Sequence, residues 1–378
     1  MATFTKVAKP KAHHDEKTWA GSGSTTTISG LGFQPDWFHI KKRNATADHS
    51  VTDTVRGLTK NINFNNTDGE DTATLIASAT SDGCTLTGGA NEVNASGGGY
   101  IGHFFKLASS TTTNDASSTG VGTIDSTFRA NTDSGISVVK WTGTGANGTI
   151  AHGLGAIPDA IIVKDISQDG FHWEAYWHGG NRTSQGNSIN ETDHIQFFND
   201  GGVSDDDNQY WNDTAPTSTV FSVGDKANVN ESGQDHVAIV IANTNGSVRC
   251  GHYQGNGNVH GSFIFTGFKP RAVWIKRQDS SESTSWKTST TVALGSDNSA
   301  QTGSGSNHGN TIQHNIKMDD ANNGGAEVAN QDNIEFYAQG FRPVTTDGKS
   351  NLEGAFYLYV AWADEPSVST NNILGTAF

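Results

Sequence analysis

The sequence predicts an all-β chain built from three tandem antiparallel β-sandwich repeats of jelly-roll type. Three observations predict it: one segment recurs three times, the apolar runs are short and bounded by turn residues, and the polar surface is mostly neutral. The chain has 378 residues, with 45 Gly against 7 Pro and only 17% charged residues. Nine Trp, 18 Phe and seven Tyr supply the core material that a disordered Gly/Ser/Thr/Asn-rich chain lacks. No window of ten or more residues carries a capped helical period, so helix is expected to be nearly absent.

The recurrence opens with an aromatic-x-Gly-x-Gly segment: Trp19-Ala-Gly-Ser-Gly23, Trp141-Thr-Gly-Thr-Gly145 and Tyr253-Gln-Gly-Asn-Gly257. A proline-led strand follows sixteen or seventeen residues later, at Pro35, Pro158 and Pro270, and six residues on stand Lys41, Lys164 and Lys276. Each copy closes with a turn and an apolar strand: Val93-Asn-Ala-Ser-Gly97 before Tyr100, Val229-Asn-Glu-Ser-Gly233 before His236, and Asn351-Leu-Glu-Gly354 before Tyr357. Glycine permits the positive φ of the opening turn. Runs such as Ala160-Ile-Ile-Val163 lack strict alternation and read as strands covered on both faces. Trp19, Trp141 and Tyr253 belong to the shared frame and read as packing residues, and the three lysines as strand-end charges that block unwanted pairing.

Boundaries follow from these landmarks. Residues 1–16 read as a polar arm, locally basic through Lys6, Lys9 and Lys11 and expected to attach the acidic body to a neighbouring protein; residues 17–106 form the first repeat and 107–133 a Ser/Thr-rich linker. Residues 134–248 and 249–366 are the second and third repeats, packed closely because almost nothing separates them, and 367–378 a polar tail. The linker leaves the first repeat free to stand apart.

The frame resembles a repeat family of tail-fibre and other structural proteins of marine, cyanophage-type bacteriophages, with lectin- or SPRY-like sandwiches. Trp141-Thr-Gly143, Gly32 to Lys41, Gly153 to Lys164, Asp53-Thr-Val-Arg-Gly57, Trp211 to Ser218, Val93 to Lys106 and Tyr357 to Pro366 carry the resemblance. The third copy departs from it, with Arg271 where the others have Asp36 and Asp159. The resemblance implies a virion surface protein assembled in the host cytoplasm, without catalytic residues. It implies either a tail fibre or adhesin that binds a host-surface glycan or receptor, or a purely structural capsid-decoration, knob or tail-ring component. Other virion proteins are the expected partners, and a homo-oligomer, a trimer for preference, the expected state.

Charge excludes some classes. At −15 the chain is a poor partner for nucleic acid or an anionic membrane. No apolar run reaches membrane-spanning length, and residues 1–17 lack the apolar stretch of a secretory signal. Cys84 and Cys250 fall in different repeats and are expected to be unpaired.

No cofactor is expected, and the chain is read as non-enzymatic. The acidic run Asp205-Asp206-Asp207 lacks the ordered spacing of a calcium loop and reads as a solvated turn. Glu191 and Asp193 have no companion motif for glycoside cleavage. The pair His13-His14 and the group His172, His178, His194 lack metal-type spacing. The candidate ligand surface is aromatic: Trp173, Tyr176, Trp177, Tyr210 and Trp211 of the second repeat exceed what its frame requires. Such rings stack on the apolar faces of sugars when exposed, or fill a larger core when buried.

Overall fold

The computed structural model describes residues 7, 9–179, 182–184, 187–189, 192–198, 203–204, 208–280, 282, 284–289, 311–312, 316–318 and 334–365. Within them the fold is all-β, made of several open antiparallel sheets, with three single-turn α-helices and one 3₁₀ turn.

The three largest sheets share one strand order. In the first segment His14–Ala20 pairs with Gly99–Phe105, followed across the sheet by Trp37–Lys42, Ser50–Asp53 and Gly57–Asn63. In the second the order is Ile136–Thr142, Asp235–Ile241, Ala160–Asp165, Glu174–Trp177 and His194–Gln196. In the third it is Val248–Gln254, Phe356–Ala363, Pro270–Arg277, Ser285–Thr288 and Ile316–Lys317. In every case the closing strand of the sequence frame lies between its opening strand and its proline-led strand.

Each large sheet has two buried faces, because successive side chains point to opposite sides of a strand. Along Asp235–Ile241, Val237, Ile239 and Ile241 point one way, Ala238 and Val240 the other. The second set meets a smaller sheet. Thr26–Ile28, Gly83–Leu86 and Ile76–Thr80 cover the first segment, Gly148–Ala151 and Val220–Val223 the second, and Ile264–Phe265, Gly340–Pro343 and Ile334–Tyr337 the third. The first set joins a single core drawn from all three segments, including Trp37, Phe64 and Phe105, then Trp173, Trp177 and Phe197, then Trp274, Trp286 and Trp362. Three sheets therefore turn one face each toward a common aromatic centre. That is why the short central runs are apolar throughout instead of alternating.

The opening and closing motifs recur because each pair forms one hydrogen-bonded clamp. Asn94, Asn230 and Asn351 are buried, and each uses its side-chain oxygen to accept from the backbone of the opening turn: Ser22 N (3.0 Å), Thr144 N (3.0 Å) and Asn256 N (3.1 Å). Their amides donate back to Ser24 O, Ala146 O and Asn258 O. The first glycine of each turn has no room for a side chain: a Cβ on Gly21, Gly143 or Gly255 would lie 2.0–2.2 Å from a carbonyl oxygen of the closing turn.

Three expectations about domain organisation are corrected. The arm ends before residue 14, since His14, Asp15 and Glu16 are buried in the first strand and Val7 N already donates to Asn245 O. Residues 107–133 are not a loose linker: Thr112–Asn114 and Ser126–Asn131 extend the second large sheet, and Arg129 pairs with Asp36 at 2.9 Å. The first segment does not stand apart, because its inner face forms part of the shared core. The tail at 367–378 lies outside the described residues.

Candidate functional site

The five aromatics expected at a ligand surface are all buried, at 5% exposure or less. Trp173 and Trp177 face the common core from the strand Glu174–Trp177 and its threshold. Their indole N–H groups donate to the neighbouring segments, Trp173 to Asn63 O at 2.9 Å and Trp177 to Gly251 O at 3.2 Å. Tyr176 points to the opposite side, where it meets Trp211 edge-on at 6.1 Å, and Tyr210 joins the same core. The helical turn Asn208–Trp211 folds those two rings inward. The expected stacking surface is thus corrected to two sets of packing residues, because the strand Glu174–Trp177 is covered on both faces and the turn Asn208–Trp211 packs its rings against one of them.

Other expected positions fare differently. Lys9 is exposed and Lys11 half-buried at the 3₁₀ turn Pro10–Ala12, while Lys6 lies outside the described residues. Asp205-Asp206-Asp207 and Glu191 also lie outside them, and Asp193 is buried. Cys84 and Cys250 are buried thiols without a disulfide, both pushed up in pKa by burial, Cys84 to about 12. Among the described residues no three His, Cys, Asp or Glu side chains gather as a metal-ligand set.

Lys41, Lys164 and Lys276 are not edge charges. All three are buried, and each ammonium donates to a carbonyl six or seven residues on: Ala47 O, Phe171 O (2.7 Å) and Glu282 O (2.7 Å). They tie down the loop after the strand. Burial lowers the Lys164 pKa to about 8 and raises that of nearby Glu174 to about 7.

The residues with the most unusual setting lie where the third sheet meets the first. Arg271 is ion-paired to Asp15 (2.8 Å) and Asp364 (3.2 Å), and donates to Glu16 O (3.2 Å). The Glu16 carboxylate accepts from Trp286 Nε1 at 3.0 Å and from the Thr288 hydroxyl. Behind this seam four imidazoles enter the common core. His39 and His49 are hydrogen-bonded at 3.0 Å, and His39 lies 4.7 Å from the Trp286 ring. His14 lies 5.9 Å from His103, which meets Trp362 edge-on at 5.0 Å. Among the described residues neither ring nitrogen of His103 has a hydrogen-bond partner.

Burial decides the protonation of His14, His39 and His103. It pushes His14 down to about 3, with the Arg271 cation adding to the effect, and His39 to about 3, with Lys41 adding. His103 is likewise driven well below its ordinary value by burial and by the neighbouring His14 and His39. They act as neutral aromatic packing groups with polar atoms, a combination that is stable only while water and protons stay out. Sequence spacing did not reveal this group, although alternation did offer a signal: His103 shares a strand face with Ile101 and Phe105, and His39 with Trp37.

The three seams are built alike in one respect. Asp36 accepts from Leu107 N at 3.0 Å, and Asp159 from Asn243 N at 2.6 Å, each holding the chain as it leaves its segment. Arg271 occupies the matching place in the third segment and reaches both the departing chain, at Asp364, and the first strand, at Asp15. The departure from the repeat pattern is therefore where the ring of sheets closes on itself.

No curated protein matches the chain. Across residues 9–366, which take in all three large sheets and the closing seam, it matches one family model, and it belongs to the family described as Domain of unknown function (DUF7483).

Proposed function

We propose that this chain is a structural component of a bacteriophage particle, built as three tandem β-sandwich repeats whose inner faces fuse into one aromatic core. One observation carries the choice between a structural and an adhesin role: the aromatics available for a receptor surface in the second repeat are instead packed against Asn63, Gly251 and Trp211. The phage assignment itself rests on the sequence resemblance. The matching strand orders of the three large sheets, each covered by a smaller sheet, support the repeat reading. A scaffold of this kind offers variable loops on a rigid frame, which suits contacts with other virion proteins.

Within this proposal one chain supplies three lobes around its own core, so a second copy is not needed to complete the fold. Any attachment role of Lys9 and Lys11 belongs to the short stretch ahead of His14.

Mass spectrometry of density-gradient-purified particles from the source culture tests the proposal. Peptides of the chain should co-band with capsid and tail proteins at constant stoichiometry. Recovery only in the soluble lysate would overturn it. Sedimentation of the purified chain should give the mass of one subunit at micromolar concentration; a stable trimer there would restore the homo-oligomer expectation.

A further inference from the structure

The outer lobe of the third segment differs from its two siblings in one way that packing does not explain. Among the described residues the exposed large hydrophobic side chains are Ile157, Val259, Phe263, Phe265 and Leu352, and all but the first belong to this segment. Phe263 and Phe265 are 51% and 58% exposed, on either side of buried Ile264. Ile264 pairs with Phe341 and enters the local core as Ile28 and Ile150 do in the other segments. The positions before those isoleucines are Thr27 and Thr149. Where the siblings present a hydroxyl, the third segment presents a phenyl ring to water. Leaving an aromatic ring in water costs free energy that the local fold does not recover.

The surroundings of these rings are organised. Phe263 leans over Gly340, where any Cβ would meet its ring at 2.8 Å, and contacts Tyr337 edge-on at 5.8 Å. The Tyr337 hydroxyl donates to Glu335, and Arg342 Nη2 donates to the same carboxylate at 2.6 Å. The Arg342 guanidinium also lies over the Tyr337 ring, 5.4 Å from its centroid, with its side chain 31% exposed. Strand register places Phe265, Gly340 and Tyr337 in one row across the sheet, and Arg342 beside Glu335 two residues further along. Flat apolar rings therefore adjoin a fixed set of charged and hydroxyl hydrogen-bonding groups.

We propose that this outer face of the third lobe is a saccharide-binding surface, with Phe263 and Phe265 as stacking platforms and Arg342 and Tyr337 as the hydroxyl-directed groups, both held in place by the buried Glu335 carboxylate. Its dimensions favour a sugar over a protein partner. Two rings and a tyrosine edge offer roughly a few hundred Å² at most, well short of the ~800 Å² per side of a stable protein interface. They match the footprint of one or two pyranose rings, whose axial C–H faces are apolar and whose edges carry hydroxyls. The proposal does not depend on the virion assignment and would hold for a cellular protein equally.

Saturation-transfer difference NMR on the full chain, with methyl glycosides of glucose, galactose, mannose and N-acetylglucosamine as probes, tests it. Transfer to the ring protons of at least one glycoside is expected. The double variant Phe263→Thr/Phe265→Ser, which borrows Thr from the siblings' outer face, should weaken binding at least tenfold while melting at the wild-type temperature. No transfer from the wild-type chain to any probe overturns the proposal, as does transfer undiminished in the variant. An early-melting variant would assign the rings to packing. Loss of particle incorporation in the variant, without sugar transfer in the wild type, would assign them to a protein partner; either result also overturns the proposal.

Discussion

Lowering the pH from 7.5 to 5 should open the protein from its centre. His14 and His39 are wholly buried, and each is pushed from 6.5 to about 3. Their folded-state pKa thus lies below the unfolded one, so the unfolded chain takes up protons first as the pH falls through 6.5. The stability they allow is complete above that value and is lost progressively down to about 3. At pH 5 each has lost about 2 kcal/mol, from about 1.4 kcal/mol per pH unit. His152, mostly buried and lowered to about 4, follows the same sign and adds about 2 kcal/mol. Glu174 opposes them: raised to about 7, it binds its proton in the folded state first and returns about 3 kcal/mol over the same range. The balance is a loss of about 3 kcal/mol, to which His103 adds with the histidine sign. Against a total of about 5–15 kcal/mol for a typical domain, that is a large fraction. Urea titrations at pH 7.5, 6.5, 5.5 and 5.0 measure it, and intrinsic fluorescence suits the purpose because Trp37, Trp173, Trp177, Trp274, Trp286 and Trp362 all lie in the common core. His103→Phe, which removes two unpartnered nitrogens and keeps an aromatic ring, should flatten the pH dependence without lowering stability at pH 7.5. Unfolding free energy constant from pH 7.5 to 5 would refute the reasoning, as would a decline that His103→Phe leaves unchanged.

Three further outcomes are expected. Arg271→Asp restores the residue type of Asp36 and Asp159 but sets a carboxylate against Asp15 and Asp364; it should cost about 3 kcal/mol or more by urea titration, and a change below about 0.5 kcal/mol would contradict the seam. Gly143→Ala should destabilise far more than Gly233→Ala, since a Cβ at Gly143 lies 2.2 Å from Glu231 O, while Gly233 has open space and only its φ of +77° to disfavour Ala; comparing the two melting temperatures checks it. Trp177→Ala should lower stability by about 3–5 kcal/mol, because its ring stacks on Phe197 at 5.4 Å inside the common core; loss of ligand binding at unchanged melting temperature would contradict its burial.

The frame was legible because its chemistry is local. An aromatic-x-Gly-x-Gly turn and an Asn-containing closing turn are recognisable in sequence, and their partnership follows from their recurrence in order. What they do together, one Asn side chain clamping one turn, is a property of the folded chain alone. The aromatics of the second segment were misread for a definite reason. Counting rings against the needs of one sandwich leaves Trp173 and Trp177 in surplus, but each large sheet serves two cores, and the second is shared. Nothing in the spacing within a segment announces a core assembled from three. The Ser/Thr-rich stretch 107–133 misled in the opposite direction: Thr112–Asn114 and Ser126–Asn131 have the composition of a linker, yet the first is the edge strand of the second large sheet and the second pairs on both sides, since a peripheral strand needs partners for its backbone more than apolar side chains.

The exception at Arg271 explains why one chain, and not three identical copies, suits this architecture. In a symmetric trimer every seam would be the same, and an Asp at each would hold its own departing backbone. Here two seams are crossed by continuous chain, at Leu107 and at Asn243, and Asp36 and Asp159 meet those backbone amides. The third seam has no covalent crossing, so the third sheet must find the first strand through side chains. That strand offers Asp15 and Glu16, and a cation at position 271 is the complementary choice, while Trp286 and Thr288 satisfy the Glu16 carboxylate from the adjacent strand. A carboxylate there would instead add repulsion where the ring has least to hold it. Within one chain each seam carries its own charge, and the outer faces differ: Thr27 and Thr149 on two lobes, Phe263 on the third.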